Sequence, residues 1–259
     1  GLDIDTTDLK TARESDVVRT GTRPDVVACG FTATMSRADS LRLGKVWHSV
    51  AFERDLVWGL DSGFLIPPVG KTIRTEALDK LASIRQVAGD YNKRDLEEVM
   101  TASVGTTVAG IIEHAQGRSI LVFASSVEHA RSLSASLTRA GVRAASVTGS
   151  DKEDRREAVY AAFRTGALDA MVTVQLLTEG ADFPRCDAVV LARPTRSRVL
   201  LTQIIGRCVR PYTYPDGSKK TDALVLDLTG VVRDNKMVSL SDLWGEAQAA
   251  SFTEDGEVF

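Results

Sequence analysis

Cysteine is scarce in this 259-residue sequence, and the three that it has, Cys29, Cys186 and Cys208, lie far apart. Their odd number and wide spacing favour neither a disulfide framework nor a zinc pattern. A reducing, cytoplasmic setting is therefore the default expectation. Long apolar runs are also missing, because no stretch approaches the 18 uninterrupted apolar residues that a membrane span needs. We expect no membrane partner and no metal site in this chain.

Neither sign of charge dominates, since 32 basic and 35 acidic residues leave a formal net charge of −3. Charge is nevertheless unevenly distributed: residues 185–210 hold six arginines and one acid, and residues 241–259 hold five acids and no base. Hydrophobic residues make up 43% and charged residues 26% of the chain, which is typical of a globular protein with an ample core. The length allows one large domain or two small ones.

Five short apolar runs predict strands that are buried on both faces. They are 119–124, 143–149, 169–174, 187–192 and 223–228. Between them the apolar residues have helical spacing. Ala130, Leu133 and Leu137 predict one helix, and Gly141 is placed to end it. A second helix is expected from a cap at Asp151 to Gly166, and a third over 197–207. Strands that alternate with helices predict an α/β fold with a parallel sheet.

The chain divides into four expected parts. The first 45 residues do not make a self-sufficient domain, and 46–102 are predicted to be a connection. Within that connection, 63–70 are interpreted as a linker and residues from 76 onward as helical. The parallel-sheet domain is expected over 103–230, and 231–259 form an acidic tail with one helix near 240–250.

A polar motif follows the fourth apolar run, in the part of the fold where open parallel sheets bind ligands. Its members are Gln203, Gly206, Arg207 and Arg210. On a helix, residues 203, 207 and 210 share one face. That face presents an amide and two guanidinium groups, and guanidinium binds phosphate oxygens in a bidentate fashion. A solvated helix face or pairing with the acidic tail is the alternative.

Three segments in order carry a specific resemblance: TATMSR at 32–37, TEGADFP at 178–184 and QIIGRCVRP at 203–211. They resemble the third, fifth and sixth motifs of the superfamily-two DEAD/DEAH-box helicases and translocases, closest to phage and bacterial helicases and restriction-enzyme motor subunits. The resemblance implies a RecA-like helicase C-terminal domain of the P-loop NTPase type over 103–230. It also implies that 1–45 are the terminal part of a first RecA-like domain, with ATP bound between the two.

The same resemblance assigns roles to nucleotide-facing residues. Arg207 and Arg210 match arginines that reach the γ-phosphate, and Gln203 and Gly206 accompany them. Gly180 and Asp182 match positions that couple nucleotide to nucleic acid. Asp182 as a simple cap is the alternative.

The resemblance also implies residues that contact nucleic acid, which we expect to be DNA. Others are expected to transmit closure of the cleft. The backbone-contacting set is Ser125, Thr148, Gly149, Thr178 and Arg196, and the coupling set is Thr32, Ala33 and Thr34. Met35 departs from the usual motif. Each has a simpler alternative. Thr178 could be a turn residue, Arg196 part of a charged loop, and Thr32–Thr34 a plain strand exit.

A phosphate-binding loop is not found in the sequence. Gly70-Lys71-Thr72 resembles its end, but Leu65 stands where the motif needs glycine, and prolines remove amide donors there. No acidic Mg²⁺ box is present either, and Asp227 is interpreted as an ordinary strand end. We therefore expect ATP and Mg²⁺ to be held mainly by the first domain, and this chain alone to be inactive. A non-catalytic nucleic-acid-binding or regulatory module on the same fold is the alternative.

Overall fold

The computed structural model describes residues 56–73, 80, 84, 86–87, 90–174, 182–194, 198–229 and 253–254. All of them belong to one compact unit, Leu56–Phe259. Several predictions lie outside the described residues: the strand near 24–37 with Thr32, Ala33 and Thr34, the positions Thr178, Gly180 and Arg196, and the helix near 240–250.

Six helices and nine strands have the following bounds within the described residues. The helices are Leu56–Asp61 (α1), Lys93–Ala102 (α2), Val104–Ala115 (α3), Val127–Arg139 (α4), Glu153–Thr165 (α5) and Arg198–Ile205 (α6). The strands are Pro68–Thr72 (β1), Gln86–Val87 (β2), Asp90–Tyr91 (β3), Ile120–Ala124 (β4), Ala144–Val147 (β5), Ala170–Thr173 (β6), Ala188–Ala192 (β7), Ala223–Asp227 (β8) and Thr253–Glu254 (β9).

The main sheet contains seven of these strands in the order β5-β6-β4-β7-β8-β1-β9. Every pairing in it is parallel. The five predicted strands are β4 to β8, so the predicted α/β parallel-sheet fold is confirmed. β4 pairs with both β6 and β7 and lies well inside the sheet, which explains why all five of its residues are buried.

Alternation along the strands divides the core into two apolar layers. Leu121 and Phe123 of β4 face a layer that α5 and α6 cover, with Phe163 and Ile204 among its members. Ile120, Val122 and Ala124 face the opposite layer, which α3 and α4 cover. The sheet is therefore shielded from water on both faces, as parallel sheets usually are.

Two predicted helix ends are confirmed and one predicted cap is wrong. Gly141 and Gly166 follow α4 and α5 with φ of +88° and +79°, a left-handed conformation that glycine adopts at low cost. The residue that caps α5 is Lys152, and it makes no side-chain capping bond. Asp151 instead accepts hydrogen bonds from Thr148 at the end of β5.

The connection upstream of residue 103 differs from the prediction. Residues 68–72, interpreted in part as a linker, form β1 and pair with β8 over five residues. Residues 86–91, expected to be helical, contain the antiparallel pair β2 and β3. Within the expected acidic tail, residues 253 and 254 pair with β1. Short-range apolar spacing could not reveal the pairings of β1, because its partners β8 and β9 are distant in sequence.

The sequence GKT lies inside β1, so it is not a phosphate-binding loop that precedes a helix. The Lys71 ammonium lies 2.9 Å from Nδ1 of His114. Asp227 ends β8, and its Oδ1 accepts the Thr229 N–H at 2.9 Å and the Thr229 hydroxyl at 2.8 Å. Among the described helices, none has the length and apolar character to cross a membrane.

Candidate functional site

The arginine motif does not lie on one continuous helix. α6 ends at Ile205, and tighter turns follow, in which the N–H groups of Arg207 and Cys208 donate to the carbonyls of Ile204 and Ile205. The prediction that residues 203, 207 and 210 share a helical face is therefore wrong. Gln203 lies in the last turn of α6, and both arginines lie in the loop that follows. Local spacing favoured a longer helix, but long-range contacts beyond Ile205 fix a different path.

This arginine loop, residues 206–212, returns to the amino-terminal edge of the sheet. The carbonyl of Val209 accepts the N–H of Ile66 at 2.7 Å, two residues before β1 begins. The carbonyl of Tyr212 accepts the N–H of Lys220, three residues before β8. The motif follows β7 in sequence, but α6 carries it back along the sheet. It does not lie at the carboxyl-terminal edge, where the sequence argument placed it.

The structure brings together three of the predicted nucleotide-facing residues. The Arg210 guanidinium forms an ion pair with Oδ1 of Asp182. The side chains of these two residues are 40% and 59% exposed, so the pair lies at the surface. Burial and the neighbouring Arg210 charge lower the pKa of the half-buried Arg207, and Asp182 partly offsets this. Two guanidinium groups thus lie near one carboxylate, and a bound anion would reduce the repulsion between them.

Asp182 is held in place by the segment that leads into β7. Its carbonyl accepts a hydrogen bond from Nε of Arg164 at 3.3 Å, in the last turn of α5. The next residue, Phe183, is 1% exposed and meets the rings of Tyr160 and Phe163 edge-on, each with centroids 5.4 Å apart. A buried aromatic ring therefore anchors the backbone beside the surface ion pair.

The nucleic-acid candidates that the structure describes lie at the opposite, carboxyl-terminal edge. Ser125 directly follows β4, and Thr148 directly follows β5. Between these strands lies β6, which Val174 directly follows. Arg193 follows β7 and donates to the Val174 carbonyl at 3.3 Å. Because neighbouring strands are about 4.8 Å apart, these exits form one continuous row.

Ser125 is fixed by a buried histidine that sequence reasoning assigned only to packing or the surface. His129 is fully buried. Its Nδ1 accepts the Ser125 N–H at 3.2 Å and lies 2.9 Å from the Ser125 hydroxyl oxygen. Burial lowers the pKa of His129 to about 4, although the charge of Glu97 opposes the shift. The ring is therefore neutral near pH 7, with Nδ1 free to accept the backbone bond.

The buried histidine predicts a specific loss of stability in acid. Its pKa of about 4 lies below the ordinary 6.5, so between these values the unfolded state binds more protons. The contribution of His129 to the free energy of unfolding is complete above pH 6.5. About 3 kcal/mol of it is lost as the pH falls toward 4. We expect His129→Gln to remove this part of the pH dependence, measured by urea unfolding at pH 7 and pH 4.5. If wild type and variant lost the same free energy of unfolding between pH 7 and pH 4.5, the prediction would be wrong.

Thr148 is more enclosed than a direct phosphate contact requires. Its side chain is 4% exposed, and its N–H and hydroxyl both donate to Oδ2 of Asp151, at 2.7 and 3.0 Å. Arg155 pairs with the other oxygen of that carboxylate at 2.8 Å. Thr148 therefore shapes a turn whose tip, Gly149 and Ser150, is exposed. The exposed amides of this tip are better placed to meet a ligand than the threonine hydroxyl.

Metal ligands do not converge anywhere in the part of the chain that the structure describes. No group of three or more His, Cys, Asp or Glu residues there could hold an ion. The described site thus offers guanidinium, amide and backbone donors, which suit an anion. Besides His129, sequence reasoning also missed Lys220, since a single lysine in a turn-rich segment carries no recognisable signal.

Comparison with known proteins gives concordant results. Residues 103–212 match the family described as the helicase conserved C-terminal domain. The chain is 31% identical over 205 residues to a protein of Schizosaccharomyces pombe named as the mitochondrial ATP-dependent helicase irc3, covering 79% of this chain and 33% of that protein. It is 28% identical over 208 residues to a protein of Saccharomyces cerevisiae named as the ATP-dependent helicase IRC3, covering 78% and 30%. The chain thus spans about a third of the length of these relatives.

A solved structure shares the fold. The fragment of an HsdR subunit of a type I restriction enzyme from Vibrio vulnificus YJ016 superimposes with a TM-score of 0.60 at 22% identity. The match covers 86% of this chain and 42% of that one. The two chains therefore share one fold, a parallel sheet with helices on both faces.

Proposed function

We propose that this chain, whose residues 103–212 match the helicase conserved C-terminal domain, is the second motor lobe of a superfamily-two ATP-dependent DNA helicase or translocase. In this proposal Arg207 and Arg210 stabilise charge on the γ-phosphate of ATP, which a first RecA-like domain holds. The observation that carries the proposal is the surface ion pair of Arg210 with Asp182, with a second guanidinium beside it.

The closeness of two arginines in this cluster supports a phosphate-facing role. The neighbouring Arg210 charge lowers the pKa of Arg207, while Arg210 itself pairs with Asp182. Phosphoryl transfer depends mainly on positioning and on stabilising charge, and an arginine supplied across an interface raises the rate about 10³–10⁵-fold. Arg210 is exposed enough to reach such an interface, and Asp182 holds its guanidinium in a defined orientation. The decisive experiment is replacement of Arg210 in the full-length protein.

The path of one segment suggests how the two functions are coupled. Residues 174–187 connect the carboxyl end of β6 with the amino end of β7. Val174, at one end of this connection, lies in the row of strand exits, and Asp182 further along the sequence lies in the arginine cluster. In our proposal Thr178 and Gly180 belong to the first part of this segment, and a shift at the phosphate is transmitted through it to the nucleic acid.

DNA is proposed to bind along the row of strand exits through its phosphate backbone. Ser125 and the tip at Gly149 would supply hydroxyl and amide donors there, and Thr178 and Arg196 are proposed to add a hydroxyl and a guanidinium group. Contacts of this kind position the strand without reading its sequence. We therefore expect little sequence preference and affinity that falls steeply with salt concentration.

A carboxylate at the tip should weaken this binding. Gly149 is open, since a methyl group on it would meet no heavy atom within 4 Å. We expect Gly149→Asp to lower affinity for a DNA oligonucleotide about fivefold at low salt, because like charges about 4 Å apart in water cost about 1 kcal/mol. Gly149→Ala is the matched control and should bind as wild type does. Fluorescence anisotropy measures both, and equal affinity of the two variants would place the strand elsewhere.

The remaining parts of the proposal concern the full-length protein. Mg²⁺ is proposed to be held mainly by the first domain together with the nucleotide, and the Thr32–Thr34 segment to transmit closure between the domains. The protein is proposed to act in the cytoplasm. The alternative, a non-catalytic nucleic-acid-binding or regulatory module, predicts DNA binding without stimulated ATP hydrolysis by the full-length protein.

A further inference from the structure

Lys220 is a buried lysine whose ammonium group, within the described part of the chain, binds backbone carbonyls and pairs with no carboxylate. Its side chain is 5% exposed. Its Nζ donates to three backbone carbonyls: Cys186 at 2.7 Å, Arg210 at 2.9 Å and Pro184 at 3.4 Å. An ammonium group has three N–H donors, so these carbonyls use all of them. Burial lowers the pKa of this lysine, which reflects the cost of placing a charge here.

The three carbonyls come from two separate segments. Pro184 and Cys186 belong to the segment that carries Asp182, and Arg210 belongs to the arginine loop. The ion pair of Arg210 with Asp182 joins the same two segments at the surface. Lys220 therefore joins their backbones beneath the place where their side chains meet.

A short hairpin brings the lysine to this position. Thr213 and Lys219 form an antiparallel bridge, and Gly217 turns the chain with φ of +83°. The Lys220 N–H then donates to the Tyr212 carbonyl at 2.9 Å. The hairpin lies beyond residue 212, where the family match ends.

We propose that Lys220 is a positioning residue for the arginine cluster. By binding the Arg210 carbonyl and the backbone beside Asp182, its ammonium group fixes where the Arg210 guanidinium points. This inference rests on the proposed role of Arg210 in ATP hydrolysis. Lys220 does not touch the nucleotide in this arrangement and acts through Arg210.

The first test measures hydrolysis by the full-length protein. A displacement of about 1 Å costs on the order of 10²-fold in rate, so we expect Lys220→Met to lower kcat on that order and to leave KM for ATP and DNA affinity nearly unchanged. Lys220→Gln, which keeps two donors, should lose less. The matched control is Lys219→Met, because Lys219 is adjacent and exposed; it should retain wild-type turnover.

A double-mutant cycle separates positioning from a general structural role. If Lys220 acts through Arg210, then Lys220→Met causes no further loss of kcat in the Arg210→Ala protein. Independent, multiplicative losses would overturn the inference. So would global unfolding of both Lys220→Met and Lys220→Gln, since the lysine would then stabilise the fold as a whole.

Amide hydrogen exchange gives a readout that does not depend on catalysis. Lys220→Met should speed exchange in residues 182–187 and 206–212 and leave β4 unchanged. Unchanged exchange in both segments would overturn the inference even if Arg210 proved essential. If Arg210→Ala leaves turnover intact, the proposed function fails, and the exchange pattern still decides whether Lys220 holds these segments.

Discussion

Replacing Arg210 with alanine in the full-length protein is expected to lower kcat for nucleic-acid-stimulated ATP hydrolysis by roughly 10³–10⁵-fold. This corresponds to about 4–7 kcal/mol of transition-state stabilisation. The physical reason is that a fixed guanidinium stabilises the charge that develops on the transferred phosphoryl group. DNA affinity should change little, because the candidate DNA contacts lie at the other edge of the sheet. Phosphate release and anisotropy on the same preparation measure the two quantities.

The folded state should tolerate the Arg210 change. The ion pair with Asp182 is at the surface, and exposed pairs contribute about 0–1 kcal/mol. Arg139→Ala is a matched control, since Arg139 is an exposed arginine at the end of α4 whose guanidinium contacts Ser136. Retention of turnover by the Arg210 variant, or a loss of the same size in the control, would show that the role is misassigned. A wild-type protein without stimulated turnover would favour the non-catalytic module.

Phe183→Ala is expected to cost about 3–5 kcal/mol of the free energy of unfolding. The ring is 1% exposed and packs edge-on against Tyr160 and Phe163. The guanidinium of Arg164 lies 5.3 Å from its centroid. Removal leaves a cavity and loses these aromatic contacts at once. Urea unfolding of the chain, followed by circular dichroism, measures the change.

The control for this prediction is another phenylalanine in the same chain. Phe64 is 63% exposed and stacks on Trp58 with centroids 5.3 Å apart. Phe64→Ala should cost about 1 kcal/mol or less, because the exposed Phe64 ring buries little apolar area in the folded state. A loss below 1 kcal/mol for Phe183→Ala would mean that the segment beside Asp182 is not anchored by its ring.

Several features of the fold were predictable because they depend on near neighbours in sequence. Five continuous apolar runs predicted β4 to β8, since strands buried on both faces need apolar side chains at every position. Gly141 and Gly166 marked helix ends because the chain there needs a positive φ. The strand β1 at 68–72 was missed. This five-residue segment contains Pro, Gly and Lys, and it is held as a strand by its pairing with β8.

The candidate site was predictable by residue type and not by position. By itself, the sequence determined the five strands β4 to β8, the order of the motifs and the presence of two arginines four and seven residues after Gln203. Only the tertiary structure decided that α6 stops at Ile205, that the arginine loop returns to the amino-terminal edge, and that Arg210 meets Asp182 above the ammonium group of Lys220. The reason is physical: strand and helix formation depends on local apolar spacing, whereas the placement of charged side chains depends on hydrogen bonds between segments that are distant along the chain.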